Sequence, residues 1–445
     1  MTATLTAATS RETRDVGQAM HALITDLYPF CRSITGDGVR ATLLRLGVLN
    51  PLTLHEVRSG TQVLDWIVPP EWNVRDAYIK NARGERIVDF RASNLHVLNY
   101  SVPVHRTVSL AELRRHCFTL PDHPDWIPYR TSYYKEAWGF CLPHRLLESL
   151  PEGEYEVRID ATLAPGYLTY GEVVIPGASA DEVLFSCHIC HPSLANDNLS
   201  AVAVATFLAR HLRHERRPTH HTYRFLFIPG TIGSITWLAR NAGLVPRIKH
   251  GLVLAGLGDS GCLHYKRSRR DSATIDRAVA QVLRERGTPY EMMPFAPYGY
   301  DERQYCSPGY DLPVGCLSRT PYARYPEYHT SADDLSFVRP DALADSYATL
   351  ALICDVLDGD ARYLNASPYG EPQLGRRGLY EPIGGATQTR LNEMALLWVL
   401  NLSDGHHSLL DIAERAGLPF ADIRRSADAL LAHRLLLPTT PQEEL

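Results

Sequence analysis

No run in the 445 residues approaches the roughly 20 consecutive apolar positions that a membrane-spanning helix needs, so a helical membrane protein is excluded. The opening MTATLTAATSRETRD has no apolar core of the kind a secretory signal carries. There is no basic excess either: 45 Lys and Arg face 50 Asp and Glu, a formal net charge of -5. That balance gives the chain as a whole no electrostatic reason to bind nucleic acid or an anionic membrane. The nine cysteines are odd in number and scattered, which argues against a disulfide framework. Internal repeats and low-complexity segments are also absent. These absences lead to the expectation of a cytoplasmic protein without membrane or nucleic-acid partners.

What is present is ordinary globular texture: 45% hydrophobic and 21% charged residues, in a chain long enough for two or three domains. Residues 12–48 read as two helices separated by the turn Ser33–Gly38. From 52 to 165 the pattern changes to short β-like runs rich in aromatics, including Trp66, Trp72, Trp126, Tyr133, Tyr134, Trp138 and Phe140. From 166 to 365 apolar strands (EVVIPG, DEVLFSC, TYRFLFIPG, HGLVLAG, LPVGCLS) alternate with helical segments, which predicts a largely parallel sheet covered on both faces. Residues 364–379 read as a linker. Beyond it, helix, turn at Gly417-Leu418-Pro419, helix and a short apolar end predict a winged helix-turn-helix. Residues 380–445 hold five Arg and no Lys against nine Asp and Glu, the wrong charge for a DNA-reading face. A protein-contact or structural role is expected of that tail. The winged-helix and insert domains are the surfaces available to a homo-oligomer.

The segment VLFSCHICHPSLANDNLS (183–200) carries the most chemistry. His188 falls at a strand exit, Asp197 follows nine residues later, and an apolar helical pattern begins at Leu199. A His and an Asp between a strand end and a helix start form half of a metal site, on the sheet edge where open α/β folds place ligands. His329, in PEYHTSADD, is the third ligand candidate; its bland alternative is a capped loop histidine. Cys187, Cys190 and Cys306 lie near the site. They read as buried thiols, with a zinc knot of Cys187, Cys190, His188 and His191 as the lesser alternative.

These residues resemble the zinc-dependent aminopeptidases of phosphorylase/hydrolase-like fold. Members carry a histidine at a strand end, a metal-bridging Asp in D-N-x-S-G/A and a late histidine in Y-H-T. Here these fall on His188, on Asp197 of Asp197-Asn198-Leu199-Ser200-Ala201, and on His329. The chain is similar still more closely to a bacterial aminopeptidase-like family of poorly defined activity, through GTQVLDWIVPPEWNVRDAYI, IPYRTSYYKEAWGFC, YKRSRR and YGYDERQYCSPGYDLPVG as well. The resemblance implies a three-layer α/β/α aminopeptidase domain (1–51 and 166–365), an inserted β-rich domain (52–165) and a winged-helix domain (380–445). It implies one zinc on His188, Asp197 and His329, with a fourth position open.

The chain departs from the pattern at two places. The Glu-Glu pair of two-metal aminopeptidases, reduced to P-E-T-I-G in the closer family, reads Pro229-Gly230-Thr231-Ile232-Gly233 here. The Asp of a second metal is missing from Leu254–Gly258, and Asp259 is displaced. Asp301, Glu302 and Glu327 are therefore the candidates for a relocated base. Tyr298, Tyr305 and Tyr328 are candidate donors to a developing oxyanion. The cations Lys266, Arg267, Arg269 and Arg270 read either as a solvated loop or as a site for a substrate carboxylate or phosphate. Asp333 or Asp334 is expected to orient His329, and a backbone carbonyl to orient His188. The expected activity is that of a zinc metallohydrolase on an amide or peptide-like bond of a small metabolite or peptide. The alternatives are a biosynthetic zinc enzyme with other chemistry (carbon–heteroatom cleavage or acyl transfer) and a non-catalytic protein stabilised by zinc.

Overall fold

The computed structural model describes residues 10–214, 219–380 and 392–439. The chain forms two compact units, one reaching through Ala273 and including Pro289–Ala348, the other made of Thr274–Thr288 and the chain from Thr349 onward. The first unit is built on an eight-stranded mixed sheet. Its centre is four parallel strands, in the order Thr222–Ile228, Glu182–His188, Ile248–Leu254 and Val314–Ser318. Every residue of Glu182–His188 is buried, as expected of a parallel strand covered on both faces. The edges depart from the expected parallel pattern. Tyr167–Ile175, which contains EVVI, runs antiparallel to Thr222–Ile228, and Leu263–Lys266 runs antiparallel to Val314–Ser318.

The segment Thr53–Arg58, assigned by its texture to the insert, instead pairs with Tyr167–Ile175 as an edge strand of the main sheet. The insert's own sheet is four-stranded, with Glu71–Lys80 and Glu154–Ala164 at its centre. A long alternating strand reveals its pleat but not which sheet it joins, so the boundary near 52 was not legible from pattern.

One buried ion network fixes the central strands. Arg224 donates from Nε and Nη2 to the two oxygens of Glu182 (2.6 and 2.8 Å) and from Nη1 to Glu172 (2.6 Å). Burying three charges is costly unless all are paired, and this fork geometry pairs them.

In the second unit, helices Glu393–Leu402, Leu409–Ala416 and Phe420–Ala432 accompany a three-stranded sheet of Asp404–Ser408, Arg362–Asn365 and Leu436–Pro438. Ser408 and Asp411 form a capping box at the start of Leu409–Ala416, and Gly417 ends that helix with φ 64°. This is the winged helix-turn-helix read from the tail. Among the described residues no helix is long and apolar enough to cross a membrane.

Candidate metal centre and pocket

The strand Glu182–His188 ends at the carboxyl edge of the sheet and delivers His188 there. The turn Ala195–Ser200 follows before the helix Ala201–His214, and Asp197 lies in it with no exposed surface. Asp333 holds this turn: its carboxylate accepts from the backbone N–H of Asn196 (2.5 Å) and of Asp197 (2.9 Å). Asn198 ties it to the sheet, accepting from Gly256 N (3.1 Å) and donating to the carbonyls of His188 (3.2 Å) and Leu254 (3.1 Å).

Three imidazoles converge on the Asp197 carboxylate. His188 Nε2 lies 2.9 Å from Oδ1, His329 Nε2 3.0 Å from Oδ2, and His191 Nδ1 3.2 Å from Oδ2. The donor atoms of His188, His191 and Asp197 all lie within 4.8 Å of one another. Ligands on a tetrahedral zinc, bound at about 2.0–2.1 Å, stand roughly 3.3 Å apart. The observed carboxylate–imidazole separations are close to that value, so His188, His191 and Asp197 fit a zinc ion, while His329 meets the same carboxylate from outside that mutually close group. The charges agree: burial opposes ionisation of Asp197, but His191 and His188 outweigh it and hold the carboxyl well below its ordinary value. Burial lowers His188 and His329. For His191 the contacts with Asp197 overcome burial and raise it.

His191 was read from sequence only as a partner in a cysteine-based knot. The structure keeps the histidine and turns the thiols away: Cys187 Sγ faces Leu226 O, Cys190 Sγ faces Gly230 O, and Cys306 Sγ faces Leu312 O and Val314 O. Burial pushes the Cys190 thiol up to about 12. His191 Nδ1 also lies 3.0 Å from the backbone carbonyl oxygen of Asp197. The fully buried Arg32 fixes the backbone here, donating to the carbonyls of His191 and Pro192 (both 2.7 Å) and Leu27 (2.6 Å).

The expected orienting groups also differ. Neither Asp333 nor Asp334 hydrogen-bonds the His329 ring; Asp333 holds the Asp197 turn, and Asp334 accepts from Ser336. Beside His188 Nδ1 stands the Asn198 amide (3.2 Å) rather than a carbonyl. His329 itself has left-handed backbone, φ 57°. Its loop is clamped by the insert: Tyr129 N donates to His329 O (2.7 Å) and Ser331 N to Ile127 O (2.8 Å).

A cavity of about 360 Å³ opens on the cluster, lined by His188, His191, His329, Gly230, Thr231, Tyr300, Asp301, Tyr328 and the insert residues Tyr129, Arg130, Thr131 and Tyr133. Tyr300 stacks on His188 (5.2 Å between ring centres) and Tyr328 on His329 (3.9 Å). Gly230 and Asp301 form its most informative pair. A Cβ added at Gly230 would lie 3.2 Å from His188 Cβ and 3.5–3.6 Å from the two carboxylate oxygens of Asp301. The carboxyl of Asp301 therefore borders the position that a residue-230 side chain would start from. Burial, reinforced by Glu302, pushes it up to about 7.

The other predicted residues fall elsewhere. Glu302 is buried and paired with Lys266, whose ammonium also donates to Ala296 O (3.3 Å) and Tyr298 O (2.9 Å). Arg269 and Arg270 pair with Asp311, and Arg267 with Asp271. None of these four cations lines the cavity. Tyr305 is buried with its hydroxyl on Ser186 Oγ (3.0 Å), and Tyr298 is an exposed ring beside Tyr322. Glu327 is half-buried, outside the lining, with its carbonyl accepting from Thr330. Asp259 spends its carboxylate on Asn196, Gly261 and Thr320, so it is not free to hold a second metal.

Residues 21–360 match a family model described as a domain of unknown function (DUF4910), and residues 361–438 match a winged helix-turn-helix model. The chain belongs to the DUF4910 family. A Clostridium acetobutylicum protein described as "Putative polysaccharide biosynthesis protein with aminopeptidase-like domain" is 49% identical over 422 residues, covering 95% of this chain and 96% of that protein. A crystal structure described as a "putative peptidase" from the same species superposes with TM-score 0.91 at 47% identity, covering 96% of this chain and 98% of that one. A zinc aminopeptidase from Bacillus subtilis shares the fold at TM-score 0.57 and 12% identity, covering 77% of this chain and 94% of its own. The DUF4910 chain thus has the three-layer zinc-aminopeptidase fold, with a β-rich insertion and a winged-helix tail.

Proposed function

We propose that this protein is a zinc-dependent hydrolase of an amide or peptide-like bond in a small metabolite or peptide, with Asp301 as its general base. The observation that carries this reading is the Asp301 carboxyl, which stands beside the histidine–carboxylate cluster and borders the position that a residue-230 side chain would start from. Asp197, His188, His191 and His329 would hold one zinc. A bound zinc would supply Lewis-acid polarisation of the scissile carbonyl. Four protein donors are one more than an open tetrahedral site uses. Were one imidazole to stand off, the remaining three donors would leave the open position that a catalytic zinc uses.

The chain's own groups have definite tasks in this reading. Asp301 takes the proton of the attacking water and returns it to the leaving nitrogen; a base with a pKa near 7 suits both transfers at neutral pH. Tyr300 and Tyr328, kept protonated by burial, are the hydroxyls available to a developing oxyanion. Arg130 at the cavity wall can meet a substrate anion, one of the two roles the sequence left open for the Lys266–Arg270 run.

The fold and the Clostridium relative's description support a peptidase-like hydrolase. That description also names polysaccharide biosynthesis, which favours a biosynthetic metabolite over a bulk polypeptide. The test is metal removal and return. Chelated protein should be inactive on a panel of aminoacyl and N-acyl amides and should recover with about one equivalent of zinc. Zinc-loaded protein inert towards the whole panel would contradict the hydrolase.

A further inference from the structure

A second cavity, of about 450 Å³, adjoins the first and shares Tyr133 with it. Its wall is largely apolar, formed chiefly by Ile67, Pro69, Pro70, Tyr100, Tyr133 and Tyr134, with Ser59, Lys135 and Glu136 also on the lining. The tyrosine hydroxyls on the shared side are already used. Tyr100 donates to Pro70 O (2.5 Å) and contacts Thr35 Oγ1 (2.8 Å), while Tyr133 OH lies 3.1 Å from Tyr129 OH. The cavity therefore meets rings and proline faces and little hydrogen-bonding capacity. Its rim is unusually apolar for a surface: the hairpin Gln62–Ile67 exposes Leu64, Trp66 and Ile67, and Tyr134 packs its ring 5.5 Å from Trp66. Exposed apolar clusters of this kind mark binding surfaces.

The continuity with the metal cluster is direct. Tyr129, whose hydroxyl meets that of Tyr133, has its ring 5.2 Å from His191 and 5.0 Å from His329. Tyr133 (φ 38°) and Tyr100 (φ 72°) both have left-handed backbone, as does His329. Strained non-glycine residues collect at sites where geometry is held for a ligand.

We infer that this cavity is the subsite for an apolar acyl or aromatic group of the substrate, which lies across Tyr133 with its polar end at the histidine cluster. The placement of the polar end rests on the zinc-hydrolase reading above. A free sugar ring would need paired polar side chains along the wall, and Tyr100 and Tyr133, whose hydroxyls are engaged, do not offer them.

Calorimetric binding of acetohydroxamate and octanohydroxamate, each to zinc-loaded and to metal-free protein, tests this. The longer chain should bind at least about 30-fold more tightly in both forms, the gain from burying only two to three of its six extra methylenes at roughly a factor of four each. Ile67→Asp and Tyr134→Ala, both at exposed positions, should each remove most of that gain, with thermal unfolding confirming that the variants are folded. Equal affinity for the two compounds, or a gain that survives both substitutions, overturns the subsite. A chain-length gain present in both forms, with no effect of zinc on acetohydroxamate, supports the subsite and overturns the zinc reading instead.

Discussion

Asp301→Asn should lower amide hydrolysis by about 10²–10⁴-fold, the usual contribution of a positioned acid–base group, while leaving the zinc content unchanged. The same variant should be more stable than the wild type. The Asp301 carboxyl is completely buried and its pKa rises from the ordinary 3.8 to about 7, because burial and the neighbouring Glu302 both oppose its charge. Between those two values the folded protein holds a proton that the unfolded chain has released, so stability falls as pH rises from 3.8 to 7. Asparagine removes that loss. The gain at pH 8 is on the order of 4 kcal/mol, following from about 1.4 kcal/mol per pKa unit. Lost turnover with raised Tm is the signature of a residue kept for function at a cost in stability. A purely structural Asp301 would give the reverse, unchanged turnover with lowered Tm. In the wild type, kcat/KM should rise with pH through about 7, and this limb should be missing from the residual activity of the variant.

His191→Ala should weaken zinc binding at least ~100-fold, more than the 10–100-fold that follows loss of an outer orienting partner. The expectation comes from its place among the donors: its ring nitrogen is 3.2 Å from Asp197 Oδ2, within the group that includes His188. The ligand set read from sequence, His188, Asp197 and His329, assigns His191 no direct part, so equilibrium dialysis against a competing chelator separates the two sets. Full zinc retention in His191→Ala would return the site to the three sequence-derived ligands.

The legible and illegible parts of the site differ in what fixes them. His188, Asp197 and His329 stand out because a strand end, a helix start and two short motifs constrain their positions, and all three meet at one carboxylate. His191 lies beyond the strand in irregular backbone, where no periodicity says which way a ring points; Arg32, 159 residues away, places it. Asp301 and Glu302 are neighbours with equal chemical claims, and only the short helix at Glu302–Tyr305 sends one to the cavity and the other to Lys266. The cation run, read either as a solvated loop or as an anion site, pairs locally for a similar reason. Lys266 is the last residue of a buried strand, and the arginines after it find local carboxylates. The alternating apolar runs marked the α/β unit correctly, but strand direction at the sheet edges depends on long-range pairing that pattern does not encode.

Anomalous X-ray diffraction at the zinc edge, on crystals of protein purified without added metal, bears most directly on the metal centre and its base. One peak is predicted at the Asp197 carboxylate, within bonding distance of His191 and of His188 or His329, with the cavity side unclosed by protein and facing Asp301. A peak capped by the Cys190 thiol, two peaks, or zinc bound away from Asp197 would contradict it.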